Sequence, residues 1–299
     1  MCSISGICNL EKKPSIQIVE LMTKSLSHRG PDDNGFFQNE NISLGHNRLS
    51  IIDLQNSKQP MKDDKNKNII IFNGEIYNFK ELKSDLKSMG HRFETEGDTE
   101  VILKSYSQWG TECLNKLEGM FVFCIWDDKK KQLFIGRDKF GEKPLFYYFS
   151  KKHGFIFSSE VKSFLQVEEI KKELRLSADS INQYLSLNYL IDNKTFFNEI
   201  KSLNPASYII LNSKNFKNEI LIKKYWFLEE YFKKKTNDSF NQASEKIDFL
   251  LEKSIKQKMF SDVENGVFLS GGVDSSAISL KLKKIDNHIM SAHNILFKE

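Results

Sequence analysis

Eight short apolar runs crowd the first two-thirds of this 299-residue chain, and they limit its fold more than any other feature. They read SISGIC, NGFFQ, ISLGHNRLSI, NIIIFNG, MFVFCIWD, QLFIGRD, LFYYFS and GFIFSS. All are of strand length, and several are bounded by Gly, Asn or Asp. Stretches of helical period interrupt them: SIQIVELMTKSLSH, KELKSDLKSMG closing on Gly90, and TEVILKSYSQWG ending at Gly110. The pattern predicts layered sheets with helices packed outside, and not an alternating parallel fold.

After about residue 165 the texture changes. LRLSADSINQYLSL predicts a helix that starts near Ser177 or Asp179, and NPASYIILNSKNFKNEILIKKYW a hairpin around a polar turn. TNDSFNQASEKIDFLLEKSIKQKMF follows as a long amphipathic helix. NGVFLSGGVDSSAISLKLKK then reads as strand, glycine loop and helix, and HIMSAHNILFKE as one more strand. Such an order opens a parallel α/β domain, which the roughly sixty residues left cannot complete.

Composition excludes several classes of function. Net charge is only +4, and the basic runs DDKKKQ and YFKKKTN sit beside acids, as solvated faces do. The clustered basic stripe with aromatic partners that a nucleic-acid site needs is missing. No run reaches the roughly 20 apolar residues that span a bilayer, and the first ten residues do not read as a signal peptide. The four cysteines, Cys2, Cys8, Cys113 and Cys124, form no CxxC pair. Reduced thiols and a cytoplasmic location are expected. The histidines show no metal-ligand spacing. Cys8 and Cys124 alternate with apolar residues and should be core.

The loop LSGGVDSS, residues 269–276, follows an apolar run and precedes a helix. Its glycines allow close approach of an anion, the helix N-terminus adds positive dipole, and Ser270, Ser275 and Ser276 add hydroxyls. It is a phosphate cradle by chemistry, but GxxxxGK[ST] is absent, so it is not a Walker A loop. SGGVDSS resembles the pyrophosphate loop of the ATP-pyrophosphatase superfamily. In the glutamine-hydrolysing asparagine synthetases that loop follows an N-terminal cysteine at about the distance seen here.

Cys2 alone reads equally as a reactive N-terminal thiol or as a small buried hydrophobe. The motifs that follow it resemble, in order and spacing, the class II glutamine amidotransferase domain of those synthetases: CSISGI, SHRGPDDNG, HNRLSIID, FNGEIYN, EGDTEVIL, LEGMFVFCIWD and GRDKFGEKPLFY. The resemblance implies an α+β N-terminal-nucleophile hydrolase, a four-layer αββα sandwich, over residues 1–225. It implies the incomplete beginning of an α/β ATP-pyrophosphatase-like domain over 226–299. It also implies loss of Met1, which the small next residue permits.

Amide hydrolysis asks for the same residues. A free thiol is a few per cent thiolate at neutral pH, and an α-amino group, with a pKa of about 7.7–8.0, suits a general base. By resemblance Cys2 is the nucleophile, and Asn73 and Gly74 form the oxyanion site, although Asn-Gly is also a favoured hairpin turn. Arg48 would grip the glutamine α-carboxylate, with Leu49, Ser50, Ile51 and Ile52 lining the pocket by backbone. Glu75 and Asp98 would receive the ammonium. Asp98 could also be simply the N-cap of a helix over 99–108. His28 and Arg29 read as structural.

For ATP the resemblance points to Leu269, Ser270, Gly271, Gly272, Asp274 and Ser275, with Ile295, in the strand after the first helix, against the adenine. ATP and Mg²⁺ would serve the complete synthetase, with Asp274 the one candidate to help hold the magnesium and no dedicated metal-ligand set. Glutamine hydrolysis would need no cofactor. The implied reaction converts aspartate, glutamine and ATP to asparagine, glutamate, AMP and pyrophosphate through an acyl-adenylate. This chain would be an N-terminal part able at most to hydrolyse glutamine. Partners would be small molecules, with neither nucleic acid nor membrane, leaving room for a homodimer. Two alternatives stay open: an amidotransferase acting on another acceptor such as a cell-surface sugar or peptide, and an inactive scaffold of storage type.

Overall fold

The computed structural model describes residues 1–63, 65–150, 152–214, 216, 220–286 and 291–295. In chain order the elements are β1 (Ser3–Cys8), α1 (Ile16–Lys24), β2 (Asp33–Gln38), β3 (Ile42–Arg48), β4 (Met61–Asp63), β5 (Asn68–Ile76), α2 (Phe79–Ser88), α3 (Asp98–Trp109), β6 (Gly119–Asp127) and β7 (Gln132–Arg137). There follow β8 (Phe146–Ser150), β9 (Gly154–Ser158), α4 (Glu168–Lys171), α5 (Ala178–Leu187), β10 (Lys201–Ser202), β11 (Ser207–Leu211) and β12 (Leu221–Lys224). The rest are α6 (Glu229–Phe232), α7 (Phe240–Lys258), β13 (Gly266–Phe268), α8 (Val273–Ile285) and β14 (Ser291–His293). The chain divides into two compact units, Met1–Phe227 and Leu228–Glu299.

The first unit is built on two antiparallel sheets, ordered β10-β8-β9-β1-β3-β2 and β12-β11-β7-β6-β5-β4. Three apolar clusters make its four layers. Ile4, Cys8, Ile42 and Leu44 of the first sheet face Ile71, Cys124, Trp126 and Ile135 of the second. Val19 and Met22 of α1 pack on the outer face of the first sheet with Ile7 and Ile156. Leu82, Leu86, Ile102 and Tyr106, from α2 and α3, cover the outer face of the second with Phe72, Phe123 and Phe134. Central strands are therefore buried on both faces, which explains why β1 reads as an unbroken apolar or small run rather than strict alternation, and why the polar side chains of β3 are buried as well. Cys8 and Cys124 lie fully buried in the inter-sheet core.

Local signals set several ends. Ser15 accepts from the Ile18 N–H to start α1, and Ser177, not Asp179, caps α5 by accepting from the Ser180 N–H. Ser239 and Gln242 form a capping box at the start of α7. The apolar run through Ile51 predicts a longer β3, but the strand ends at Arg48. Beyond it the backbone is captured by side chains: the Ser50 N–H donates to Asp32 and the Arg48 guanidinium binds carbonyls of the following loop.

In the second unit α8 joins β13 to β14, which pair in parallel, Val267 against Ala292. The strand expected over 288–299 is described only at Ser291–His293, and Ile295 lies two residues past its end with its side chain exposed. The remainder of that stretch, 288–290 and 296–299, lies outside the described residues.

Candidate active site

Cys2 stands immediately before β1 in the first sheet, while Asn73, Gly74 and Glu75 lie on β5 in the second, and β1 and β5 are in contact. A cavity of about 80 Å³ brings together Cys2, Arg48, Leu49, Ile51, Ile52, Asn73, Gly74, Glu75 and Asp98. Ser50 is not on it; it faces a separate groove shared with Asp32 and Lys58.

The Cys2 sulfur is half-buried and held by a backbone loop. It accepts from the Leu49 N–H at 3.3 Å and lies 3.6 Å from the Leu49 carbonyl oxygen. Burial pushes its pKa up, and the Leu49 N–H and the nearby amino terminus oppose that rise. The amino group at the chain start is that of Met1, and burial pulls its pKa below the ordinary value. Met1 lines the cavity too, its thioether 3.1 Å from the Lys143 Nζ. The Arg29 Nε donates to the Cys2 carbonyl oxygen at 3.0 Å, and its guanidinium pairs with Glu160 at 2.9 Å. Arg29 is structural in this sense: it fixes the backbone that carries the thiol.

Asn73 is 1% exposed, and its Nδ2 is buried with no hydrogen-bond partner. Buried amide groups are nearly always paired, so an orphaned one in a cavity wall marks a donor held ready for something else. The Asn-Gly pair is not a hairpin turn. It lies mid-strand, Asn73 opposite Val122 and Gly74 opposite Phe121 of β6. A Cβ on Gly74 would stand 2.1 Å from the Met120 carbonyl oxygen, so only glycine lets the strand through here.

Arg48 is buried, and three of its N–H donors are already committed: Nη1 to the Leu54 carbonyl at 2.9 Å, Nη2 to those of Asp53 at 2.7 Å and Ile52 at 3.3 Å. A guanidinium has five N–H groups, so two are left for a carboxylate at the cavity. Asp98 is not the N-cap of its helix. Gly97 holds that place, and the Asp98 carboxylate accepts from the Ile76 N–H at 3.0 Å across to β5. Burial pushes the Asp98 carboxyl up to about 7, the Ile76 N–H opposes this and Glu75 adds to it. A carboxyl so placed has a strong demand for a cation.

Sequence reasoning missed Ser57, Gln59, Phe72, Thr99, Met120 and Lys143, which line the same cavity. The signal for Lys143 was GRDKFGEKPLFY. Its Asp138, fully buried, accepts from the N–H groups of Phe121, Phe140, Glu142 and Lys143 at 2.9–3.2 Å, and so shapes the loop that carries Lys143 to the cavity. Burial pulls the Lys143 pKa down, with the Glu75 carboxylate opposing.

In the glycine loop Gly271 has φ +81°, a conformation that favours glycine, and no atom lies within 4 Å of where its Cβ would be. Gly272 caps α8, and the Ser270 and Ser275 hydroxyls lie 3.1 Å apart beside it. The donor set of backbone N–H groups, two hydroxyls and a helix start fits a phosphate group. Asp274 lies in the first turn of α8. Leu269 donates its N–H to the His293 carbonyl and thereby continues the pairing of β13. Among the described residues no cluster of three or more His, Cys, Asp and Glu could hold a metal ion, and no helix is long and apolar enough to cross a membrane.

Comparison with known proteins gives two family matches, a glutamine amidotransferase domain over residues 1–226 and asparagine synthase over residues 246–299. Asparagine synthetase [glutamine-hydrolyzing] 3 of Bacillus subtilis is 36% identical over 286 residues, 93% of this chain and 45% of that protein. The putative asparagine synthetase [glutamine-hydrolyzing] 2 of Methanocaldococcus jannaschii is 37% identical over 297 residues, 93% of this chain and 56% of that one. The chain therefore spans about half the length of the curated relatives it matches. Among solved structures, the glutamine phosphoribosylpyrophosphate amidotransferase of B. subtilis superposes with a TM-score of 0.56 at 18% identity, over 98% of this chain and 65% of that one. It shares the N-terminal-nucleophile hydrolase fold of two facing antiparallel sheets between helical layers.

Proposed function

The chain belongs to the glutamine amidotransferase domain family, and on that premise we propose that residues 1–225 hydrolyse glutamine to glutamate and ammonia. In the complete protein the ammonia serves glutamine-dependent asparagine synthesis. The observation that carries the reading is the unpaired, buried Asn73 Nδ2 in the wall of the cavity that holds the Cys2 sulfur.

Removal of Met1 makes the Cys2 amine the chain terminus, and it takes away a side chain that lines the cavity. That amine, carried on the same residue as the thiol, accepts the thiol proton, a task for which an ordinary α-amino group, with a pKa of about 7.7–8.0, is suited near neutral pH. The sulfur attacks the side-chain amide carbon of glutamine, and the charge that develops on oxygen falls to the Asn73 Nδ2 and the Gly74 N–H. The protonated amine returns its proton to the departing nitrogen, ammonia leaves, and a thioester remains. Water, deprotonated by the same amine, attacks the thioester, and glutamate is released with the thiol restored. The two free N–H donors of Arg48 take the substrate α-carboxylate, with the backbone of Leu49, Ile51 and Ile52 beside it. Ser50 belongs to this set only as a neighbour in the loop. Asp98 and Glu75 take the ammonium.

The second unit would hold ATP phosphates at Leu269, Ser270, Gly271, Gly272 and Ser275, with Asp274 toward the accompanying Mg²⁺. ATP supplies the activation of an acceptor carboxyl, aspartate in this reading, and Ile295 is the candidate for contact with the adenine. A biosynthetic role of this kind places the protein in the cytoplasm.

Intact mass and a glutaminase assay test the proposal together. The expected mass lacks Met1, and Cys2→Ala should abolish ammonia release while leaving the thermal midpoint nearly unchanged. A processed native chain that releases no ammonia from glutamine refutes the reading.

A further inference from the structure

β4 pairs with β5 only through Met61–Ile70, Lys62–Ile69 and Asp63–Asn68. Pro60, which has no N–H to donate, precedes Met61 and the ladder stops there. The same register carried two residues further would set Gln59 opposite Phe72. With no strand on its β4 side, Phe72 would leave a buried N–H and C=O unpaired there, a costly arrangement. Side chains replace the missing strand. The Phe72 N–H donates to the Gln59 Oε1 at 2.6 Å, and the Phe72 carbonyl lies 2.9 Å from the His46 Nε2. His46 is fully buried, and because its Nε2 faces a carbonyl that nitrogen carries the proton. The two clamps come from different segments, His46 from β3 of the first sheet and Gln59 from the loop that leads into β4 of the second. The Gln59 Nε2 also donates to the Thr99 hydroxyl at 3.3 Å, next to Asp98.

We propose that Gln59, together with His46, is a positioning residue for the oxyanion site: the pair fixes the Phe72 peptide and, one residue on, the Asn73 amide and the Gly74 N–H, while Gln59 ties that segment to the helix that carries Asp98. The proposal rests on the reading of Asn73 and Gly74 as oxyanion donors. Its physical basis is that such donors act only when already set at about 2.7–3.1 Å from the future oxyanion. A displacement of about 1 Å in a reacting geometry costs up to about 10²-fold in rate. Gln59 touches the backbone that presents the donors and so acts through them.

Two variants of the full chain test this. Gln59→Met keeps the volume and removes both polar contacts. Gln59→Glu keeps an acceptor for the Phe72 N–H, and the Thr99 hydroxyl can turn to donate to it. Gln59→Met should lower kcat for glutamine hydrolysis by about tenfold or more, with KM changed by less than about threefold, and Gln59→Glu should recover most of the loss. A glutamine analogue whose side chain ends in an aldehyde separates positioning from general damage. It adds the Cys2 sulfur to its carbonyl carbon, the thiol proton passing to oxygen, and so needs the oxyanion donors; alkylation of Cys2 by iodoacetamide does not. Gln59→Met should weaken the aldehyde by about tenfold and leave the alkylation rate as it is. A Gln59→Met chain within about twofold of native kcat, beside an Asn73→Ala chain that has lost activity, would overturn this proposal alone. So would aldehyde affinity and alkylation rate falling in parallel. Absence of glutamine hydrolysis in the processed native chain would remove the underlying reading and this proposal with it.

Discussion

Replacing Asn73 by alanine should separate activity from stability, because the native side-chain Nδ2 is unpaired where it is buried. The Asn73 Nδ2 has no partner, and the residue is 1% exposed. Loss of one oxyanion donor costs about 10²- to 10³-fold in kcat, or about 2.7–4 kcal/mol. Because the bond forms only in the transition state, kcat and kcat/KM should fall together. The stability term has the opposite sign. An unsatisfied buried amide carries a desolvation penalty of about 1–3 kcal/mol, which alanine removes. Against this stand the packing contacts of one amide group. The net is about 0–2 kcal/mol in favour of the variant, which moves the melting midpoint of a unit this size up by no more than about 8 °C. Ammonia release under saturating and limiting glutamine, and thermal melts of both chains, give the two numbers. An activity loss below about tenfold would remove Asn73 from the oxyanion site. A midpoint lowered by several degrees would make its side chain a structural tie and refute the account of an idle donor.

Asp98 should give a pH signature, because its carboxyl is raised from 3.8 to about 7 in the folded chain. The folded state then holds a proton that the unfolded chain gives up, so this group contributes stability below about pH 4 that is lost as pH rises to about 7. Melts of Asp98→Asn should therefore gain on the native chain between those pH values and run parallel above them, whereas a constant offset across the range would contradict the shift. Glutamine affinity of the native chain should rise with pH up to about 7, as the carboxylate forms for the ammonium, and titration calorimetry in two buffers should show proton release that Asp98→Asn lacks. Gly74→Ala sets a Cβ 2.1 Å from the Met120 carbonyl oxygen and 2.7 Å from the Phe121 Cα, both on a paired strand that cannot yield. The cost should reach or exceed the 1–3 kcal/mol typical of overpacking, and a urea unfolding midpoint equal to native would show that β6 moves aside.

The sequence by itself determined what is encoded within a few consecutive residues. Short runs with period two or continuous burial mark strands, as in MFVFCIWD, because a pleated backbone repeats every second residue. Helical period marked the helices, although the choice between Ser177 and Asp179 as a helix start stayed open until the Ser177 hydroxyl was seen to accept from the Ser180 N–H. SGGVDSS reads as a phosphate cradle from its own glycines, hydroxyls and helix start, whereas Cys2 and Asn-Gly each kept two readings until the motifs around them were taken together.

Tertiary structure alone decided the long-range questions. Asn-Gly has a local preference for a turn, yet pairing with β6 over Asn68–Ile76 outweighs it, and the missing Cβ at Gly74 is used for close approach to Met120 instead. The capping reading of Asp98 gave way to a bond with Ile76, twenty-two positions away, which no spacing rule anticipates. Gln59 and His46 came to matter because β4 begins only after Pro60, so its ladder with β5 does not reach Phe72. In each case the deciding partner is distant in sequence and adjacent only once two sheets have closed on a common core, so the information lies in the packing and not in any single stretch of chain.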